Sequence, residues 1–343
     1  MPRPRPAAAF LQRTAGDPAA SGPGASLSIG LCAAIVAASV HEPRVLTIRL
    51  GGGRRAGEAA EALPSGPLEA EHRTLEIGLR AWVERQTSQR LGYVEQLYTF
   101  GDRDRVAGEA ALALPALVVA YLALAREAAG AAAAEWRSWY RYFPWEDWRQ
   151  GKPPLLGPIE ARLAGWAAAA GGEPERQLRE ERLGLAFGRH GASWNEELVL
   201  ERYELLYEAS LVAEAARDVG RAKVEIDGAA GVPMASDHRR ILATAIGRLR
   251  GKIKYRPVVF ELMPPAFTLL QLQQTVEALA GVRLHKQNFR RLVEQQGLVE
   301  ETGAISGQTG GRPARLVRFR REVLLERPAP GLRLRAGRRA AAG

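Results

Sequence analysis

Apolar residues in the first third of the chain follow two different periods, and these periods predict which segments are strands and which are helices. β-Branched and other apolar residues run through 28–40 and 44–49, and a proline lies in the turn between them, so we expect a β-hairpin. Between 74 and 87, apolar side chains recur at helical spacing beside charged ones and predict an amphipathic helix. Further strands are expected at 92–100 and 116–124. The pattern therefore predicts a mixed α/β domain.

An aromatic segment and a long helix are expected next along the chain. Residues 135–148 hold four of the seven tryptophans, a density typical of a core segment or of a surface that packs against a partner, and the large apolar area favours the core. Leucines at helical spacing predict one long helix over 195–217. Residues 218–236 are rich in glycine and are predicted to be a linker.

The last third of the chain has the pattern of a helix-turn-helix. Asp237 is suited to cap a helix over 238–255, and Thr268 is suited to cap a helix that ends at Gly281. After a short turn, 285–296 predict a second short helix, which in a helix-turn-helix presents its N-terminal residues to base edges. The helix over 238–255 has an apolar stripe of Ile241, Leu242, Ala245, Ile246 and Leu249, and its basic residues, expected on its flanks or near its end, are Arg239, Arg240, Arg248, Arg250, Lys252 and Lys254.

A wing is expected after the second short helix. Residues 298–300 and 315–320 alternate as strands, and 306–313 form a flexible loop with an arginine at its tip, which completes a winged helix. Lysine, arginine, glutamine and asparagine are the side chains that direct readout of bases requires, and arginines beside them are suited to phosphates. The predicted base-reading residues are Lys286, Gln287, Asn288 and Arg290, and the predicted phosphate contacts are Arg291, Arg312 and Arg315. The alternative is a winged helix used for protein contacts.

The charge distribution favours DNA over that alternative. The 343 residues include 48 Lys and Arg against 38 Asp and Glu, a net charge of +10, and 46% are hydrophobic, which excludes a wholly disordered chain. Residues 237–343 alone hold 21 basic and 8 acidic side chains, a net charge of +13, so the preceding residues sum to −3. A basic domain beside a mildly acidic one is typical of a nucleic-acid-binding protein, with a membrane surface as the competing anion.

Other features limit the setting of the protein. No apolar run is long enough for a spanning helix, and a single cysteine, Cys32, forms neither an intrachain disulfide nor a zinc cluster, so we expect a cytoplasmic protein with no membrane partner. The predicted domains are a disordered leader (1–26), an α/β domain (27–217), a linker (218–236), a winged helix-turn-helix domain (237–327) and a basic disordered tail (328–343).

The helix over 74–87 and the loop before it match the Nudix box only in part. That box is a glycine, a glutamate after five intervening residues and, seven residues further on, Arg-Glu-apolar-x-Glu-Glu-x-Gly. The residues at these positions are Gly66, His72, Arg80, Ala81, Trp82, Glu84, Arg85 and Thr87. Nudix chemistry needs clustered carboxylates that hold divalent cations against a pyrophosphate. One glutamate beside an arginine does not supply them, so we expect no catalytic residue and no metal site.

From 28 to about 327 the chain resembles the Nudix-related transcriptional regulators, in particular the branch that represses NAD biosynthesis (NadQ-like). The segments that carry the resemblance are ELVLERYELLYEA, DHRRILATAIGRLRGKIKYRPVVFELMPPAFTL, HKQNFRRLVEQQGLVEETG and GGRPARL. The resemblance implies an α/β Nudix-like domain, with a mixed sheet between helices, followed by a C-terminal winged helix-turn-helix domain. It also implies a homodimer on a palindromic double-stranded operator and no required cofactor. It also implies an effector that is an NAD-related adenine nucleotide, namely NAD, ADP-ribose or ATP.

The same resemblance implies an effector site around the degenerate box and the loop after the next strand. Its residues are Arg80, Glu84, Phe100, Asp102 and Arg103. Alternatives remain for three of them: a salt bridge between Arg80 and a nearby carboxylate such as Glu84, a turn at Asp102, and a core position for Phe100 instead of an adenine-stacking one. The sequence thus predicts a nucleotide-controlled repressor of NAD biosynthesis. The alternatives are an active Nudix hydrolase of ADP-ribose or NADH fused to a winged helix, and a nonspecific nucleic-acid binder.

Overall fold

The protein folds into a mixed sheet covered on both faces, followed by a small winged helix. The computed structural model describes residues 29–50, 60–101, 117–127, 134–218, 230–307, 313–326 and 331–332. The strands are β1 (Ile29–Ala38), β2 (Pro43–Leu50), β3 (Ala60–Ala62), β4 (Ser65–Pro67), β5 (Val94–Gly101), β6 (Leu117–Leu124), β7 (Ala134–Ser138), β8 (Val299–Ser306) and β9 (Ala314–Phe319). The helices are α1 (Leu75–Thr87), α2 (Leu156–Ala168), α3 (Glu173–Phe187), α4 (Val199–Glu208), α5 (Ala213–Asp218), α6 (His238–Tyr255), α7 (Leu269–Ala280), α8 (Lys286–Gln295) and α9 (Val323–Glu326).

The sheet has the order β3-β2-β1-β6-β5, and it is mixed because β1 runs parallel to β6 while its other pairs are antiparallel. β4 adds to β1, and β7 adds to β2. The hairpin expected from the apolar runs is confirmed, with Val36 opposite Val45. The strands expected at 92–100 and 116–124 are β5 and β6.

The central strand β1 is apolar along its whole length because both of its faces are buried. Leu31 and Ile35 face α1, which contributes Leu79 to the same cluster. Residues of alternate parity, such as Cys32, face the larger core under α4 and α6. Side chains of a strand alternate between faces, so a strand covered on both sides reads as a continuous apolar run. Helices therefore lie on both faces of the sheet, as expected.

The helix expected over 195–217 is wrong as a single element. α4 ends at Glu208, and Ser210 adopts a left-handed backbone (φ 55°) before α5 begins. The break turns Leu211 and Val212 into the core, where they are 8% and 0% exposed. Burial of these two side chains explains why the apolar pattern continues across a helix boundary.

The aromatic segment lies in the core, as its composition favoured. Trp139, Tyr142, Phe143 and Trp145 are fully buried, on two short turns of 3₁₀ helix after β7. The alternative of an exposed partner surface is therefore wrong for these four side chains.

Helix α6 lies at the junction between the sheet and the winged helix. Its predicted stripe, represented by Ile241 and Leu249, is fully buried in the same core as the sheet and α4. Part of the predicted linker is also packed, because Met234 is 1% exposed and its N–H donates to Glu214. The chain returns to α6 once more at Leu332, which is fully buried and donates to the carbonyl of Ile253 at 3.1 Å. The predicted domain boundaries stay predictions.

Within the described residues, no helix is long and apolar enough to span a membrane.

Candidate nucleic-acid interface and effector site

The first helix of the helix-turn-helix, α7, is capped at both ends. The side chain of Thr268 accepts from the N–H of Gln271, and Gln271 accepts in return from the N–H of Thr268, which forms a capping box. The helix ends at Gly281, whose φ of 72° lies in the left-handed region that glycine adopts without strain. The N-cap and the C-terminal glycine predicted from the sequence are both confirmed.

The second helix, α8, divides into a buried face and an exposed polar one. Phe289 and Val293 are 3% and 0% exposed and hold the helix to the core of its domain. The expected base-reading residues and the first expected phosphate contact all project into solvent: Lys286, Gln287, Asn288, Arg290 and Arg291. The Arg290 guanidinium pairs with Glu294 at 2.8 Å, at the surface. The N-terminal half of α8 is thus free to enter a groove of the duplex.

The wing is an antiparallel pair of strands, β8 and β9, as the sequence predicts. Phe267, before α7, pairs with Val317 of β9 and ties the wing to the helix-turn-helix. Arg315 lies on β9 with its side chain 75% exposed and pairs with Glu301 at 2.7 Å. Arg312 lies outside the described residues. The wing therefore presents at least Arg315 on an exposed surface.

The basic residues of α6 do not belong to this surface. Each of the six pairs with a carboxylate of the preceding α/β region: Arg239 with Glu214, Arg240 with Glu204, Arg248 and Lys252 with Glu95, Arg250 with Glu146, and Lys254 with Glu196 and Glu197. The expectation that they all lie on the flanks or the end of the helix is wrong for Arg239 and Arg250, which are 0% and 2% exposed. Asp237 precedes α6 but accepts from Arg240 at 3.0 Å and makes no capping hydrogen bond to the helix.

The degenerate box keeps its loop-helix geometry through side chains other than carboxylates. A Cβ on Gly66 would lie 2.2 Å from the Trp82 ring, and the Trp82 indole N–H donates to the carbonyl of Pro67 at 2.8 Å. Gln86 accepts from the N–H of Ser65 and donates to its carbonyl. The described residues contain no group of three or more His, Cys, Asp or Glu side chains placed to hold a metal.

The described effector residues are not brought together, because Arg80 and Glu84 lie on α1 and Phe100 lies in the core on the other face of the sheet. Arg80 pairs with Glu76 and donates to the carbonyl of Gly92 at 3.1 Å, so the alternative of a salt bridge with a nearby carboxylate is confirmed, with Glu76 and not Glu84 as the partner. Glu84 instead faces Arg90 at 3.4 Å on the surface. Phe100 is 8% exposed in the core, in agreement with the core interpretation. The remaining two, Asp102 and Arg103, lie outside the described residues.

Sequence reasoning missed a buried ionic cluster centred on Glu146. Arg202 of α4 donates to both carboxylate oxygens of Glu146 at 2.6 and 2.9 Å, and Arg250 of α6 donates to one of them at 2.6 Å. Burial by itself raises the pKa of Glu146, but the charges of the two arginines outweigh it, so the net pKa is lowered. The available signal was the acidic pair of Glu146 and Asp147 between two tryptophans of the aromatic segment.

Comparison with known proteins identifies the domain that carries α7, α8 and the wing. Residues 259–319 match the family model of the NrtR DNA-binding winged helix domain. The C-terminal domain is similar to the NrtR DNA-binding winged helix. The protein described as ADPR responsive transcriptional repressor NtrR of Acinetobacter baylyi is 42% identical over 96 residues, which cover 28% of this chain and 38% of that protein.

Solved structures extend the likeness to the fold of both domains. NrtR of Shewanella oneidensis in complex with a 27mer DNA has a TM-score of 0.51 at 19% identity, over 86% of this chain and 94% of that one. A MutT/nudix family protein of Enterococcus faecalis has a TM-score of 0.50 at 15% identity, over 87% and 88% of the two chains. The predicted fold, a Nudix-like domain followed by a winged helix, is confirmed.

Proposed function

We propose that this protein is a transcriptional repressor of NAD biosynthesis genes, that it binds operator DNA through α8 and the wing, and that an NAD-related adenine nucleotide in the Nudix-like domain controls this binding. In this proposal residues 27–217 sense the nucleotide and 237–327 bind DNA. The protein acts in the cytoplasm as a homodimer, since two copies of α8 related by a two-fold axis fit a palindromic operator.

The exposed first turns of α8 carry the DNA-binding part of the proposal. Lys286, Gln287, Asn288 and Arg290 are side chains that hydrogen-bond base edges, and they project together from a helix whose opposite face holds it to the domain. The proposed phosphate contacts, which fix the register of the protein on the duplex, are Arg291, Arg312 and Arg315. A surface for protein contacts would expose apolar side chains here, and α8 buries Phe289 and Val293 instead.

The printed name of the Acinetobacter baylyi relative supports ADP-ribose as the first nucleotide to test. We place its site beside α1 and the end of β5, with Glu84, Asp102 and Arg103 as contacts. Arg80 acts there by holding the loop before β5 through the carbonyls of Leu91 and Gly92. Phe100 contributes from the core, as support for the end of the strand. No cofactor is required for these roles.

DNA binding is tested with duplexes selected by the protein from a random library. Arg290→Ala and Lys286→Ala remove predicted base contacts, and each should weaken binding to the selected duplex by about 5- to 150-fold in fluorescence anisotropy. The control is Arg176→Ala, which removes another exposed helical arginine paired with a glutamate, on α3. Equal competition by selected and random duplexes would instead identify a nonspecific binder, and unchanged binding by both variants would refute the assigned recognition helix.

The absence of hydrolase activity is part of the proposal. The box residues of this chain offer Glu84 beside Arg85 where metal-dependent hydrolysis requires clustered carboxylates. Incubation of the protein with ADP-ribose or NADH and Mg²⁺ or Mn²⁺ should leave the nucleotide intact in a chromatographic assay. Turnover that disappears in Glu84→Ala would establish the hydrolase instead.

A further inference from the structure

The last turn of α7 is held by groups that lie outside the winged helix. The Tyr140 hydroxyl donates to the carbonyl of Ala278 at 2.7 Å, and the Arg250 Nε donates to the carbonyl of Leu279 at 2.9 Å. The N–H of Trp148 donates to the carbonyl of Gly281 at 2.7 Å. The final carbonyls of a helix have no partner within the helix. Here the aromatic segment after β7 and helix α6 supply those partners.

One of these groups, Arg250, also binds Glu146, which joins the elements of the sheet domain. Its carboxylate binds Arg202 of α4 and Arg250 of α6, and all three side chains are fully buried. A Cβ on Gly281 would lie 2.3 Å from the Glu146 carbonyl oxygen, so the end of α7 touches the backbone of the cluster itself. We name Tyr140, Glu146 and Arg250 the joint. Because α8 follows shortly after Gly281, the joint sets where the recognition helix lies relative to the sheet.

A cleft on one side of the joint shows that contact between the two domains is not continuous. The cleft measures about 290 Å³ and lies between the β1–β2 turn, the segment around Arg149, and α7. Its walls are polar: Glu277 binds Arg283 at 3.0 Å, and Arg149 binds Asp147 at 2.8 Å. Polar walls around open space resist displacement less than a close-packed core does. Beside this cleft, α7 is connected to the sheet domain by the hydrogen bonds of the joint and by the shared core that buries Leu272 and Val276.

We propose that Tyr140, Glu146 and Arg250 are positioning residues that transmit the state of the Nudix-like domain to the recognition helix. The inference rests on the proposed function. β7 leads directly into Tyr140, and α4 and α6 hold Glu146 through Arg202 and Arg250. A shift of these elements on nucleotide binding therefore carries the end of α7 with it. Coupling between two sites requires a structural element whose position both sites influence. If the joint is loosened, the sheet domain responds to the nucleotide without moving α8.

Tyr140→Phe is the first test because it removes one hydroxyl and keeps the ring. Burial raises the pKa of Tyr140 to about 12, so its hydroxyl remains a donor at neutral pH. The measured quantity is the ratio of affinities for the selected duplex with and without ADP-ribose. We expect Tyr140→Phe to bring this ratio about fivefold closer to one, which is the change that the free energy of one hydrogen bond produces. Affinity for ADP-ribose in the absence of DNA should stay at the wild-type value.

The matched control is Tyr142→Phe, since the Tyr142 hydroxyl donates to Glu61 inside the sheet domain and touches nothing in α7. This variant should keep the wild-type ratio. Arg250→Lys is the second variant, because it retains the charge beside Glu146 and loses the Nε that binds Leu279. It should also reduce the ratio.

The outcomes separate the two proposals. A wild-type ratio of one for ADP-ribose, NAD and ATP would overturn the proposed control by nucleotide, and this inference with it. A wild-type ratio that persists in both Tyr140→Phe and Arg250→Lys would overturn the joint alone. If Tyr142→Phe reduced the affinity ratio equally, the joint would also be overturned, because the reduction would then not depend on contact with α7.

Discussion

The salt dependence of DNA binding should be far weaker than the charge of the C-terminal third implies. Residues 237–343 carry a net charge of +13. Six of their cations, all on α6, are neutralised by carboxylates of the preceding region, which leaves +7. A cation that is bound to a carboxylate away from the DNA-binding surface releases no counterion from DNA. Only the cations of α8 and the wing should therefore appear in the salt slope.

The slope can be calculated from the predicted contacts. Arg291, Arg312 and Arg315 give three phosphate contacts per protomer, and a dimer then makes about six. The logarithm of affinity falls with the logarithm of salt concentration at about 0.9 per phosphate, so the slope is about −5. Affinity should drop about 10³-fold between 50 and 200 mM salt. If the six α6 cations also bound phosphates, the slope of the dimer would be about −16.

Anisotropy titrations of the selected duplex across this salt range decide between the two values. Arg315→Ala should make the slope shallower by about 2, one contact in each protomer. Arg240→Gln is the control, because the Arg240 guanidinium is bound to Glu204 at 2.5 Å and to Asp237 at 3.0 Å, and it should leave the slope unchanged. A wild-type slope steeper than about −10, or an equal loss in Arg240→Gln, would refute the reasoning.

Two further predictions concern the α/β domain. Gly66→Ala places a methyl group 2.2 Å from the Trp82 ring and should lower the free energy of unfolding in urea by about 1–3 kcal/mol. The same change in a Trp82→Ala background should lower it by less, and equal losses in the two backgrounds would contradict the contact. Burial raises the pKa of Glu61, but the hydrogen bonds from Tyr142 and Arg141 outweigh it, so the net pKa is lowered. The resulting stabilisation is present above the pKa of Glu61 in the unfolded chain and is lost as the pH falls through its pKa in the folded protein. Glu61→Gln should therefore reduce the difference in Tm between pH 7 and pH 3. An unchanged difference would contradict this prediction.

Elements defined by local patterns were predictable from the sequence, and contacts between distant segments were not. The hairpin of β1 and β2, the cap of α7 at Thr268 and the exposed face of α8 each depend on neighbouring residues. Arg80 pairs with Glu76 although Glu84 has the same spacing, because side-chain direction and the nearby carbonyls of the β5 loop decide between two equivalent glutamates.

The ionic cluster shows more clearly why contacts between distant segments could not be predicted from the sequence. Glu146, Arg202 and Arg250 lie far apart in the chain, and each looks like a surface charge when read locally. Their burial is explained only by tertiary packing, which brings α4 and α6 to one side of the aromatic segment. Removal of one partner would leave a buried charge uncompensated and would lower the free energy of unfolding by about 3–5 kcal/mol. A change at one of the three residues therefore requires a change at the others.

Loss of the box carboxylates and survival of the box geometry have separate physical causes. In a metal-dependent box the cations tie the loop to the helix, whereas here the Trp82 ring against Gly66 and the two hydrogen bonds of Gln86 with Ser65 tie them instead. The loop-helix unit is therefore held without a cation. Under the proposed function, a nucleotide beside this unit is bound and not cleaved. This is what a sensor requires, because a ligand changes the DNA affinity only for as long as it stays bound.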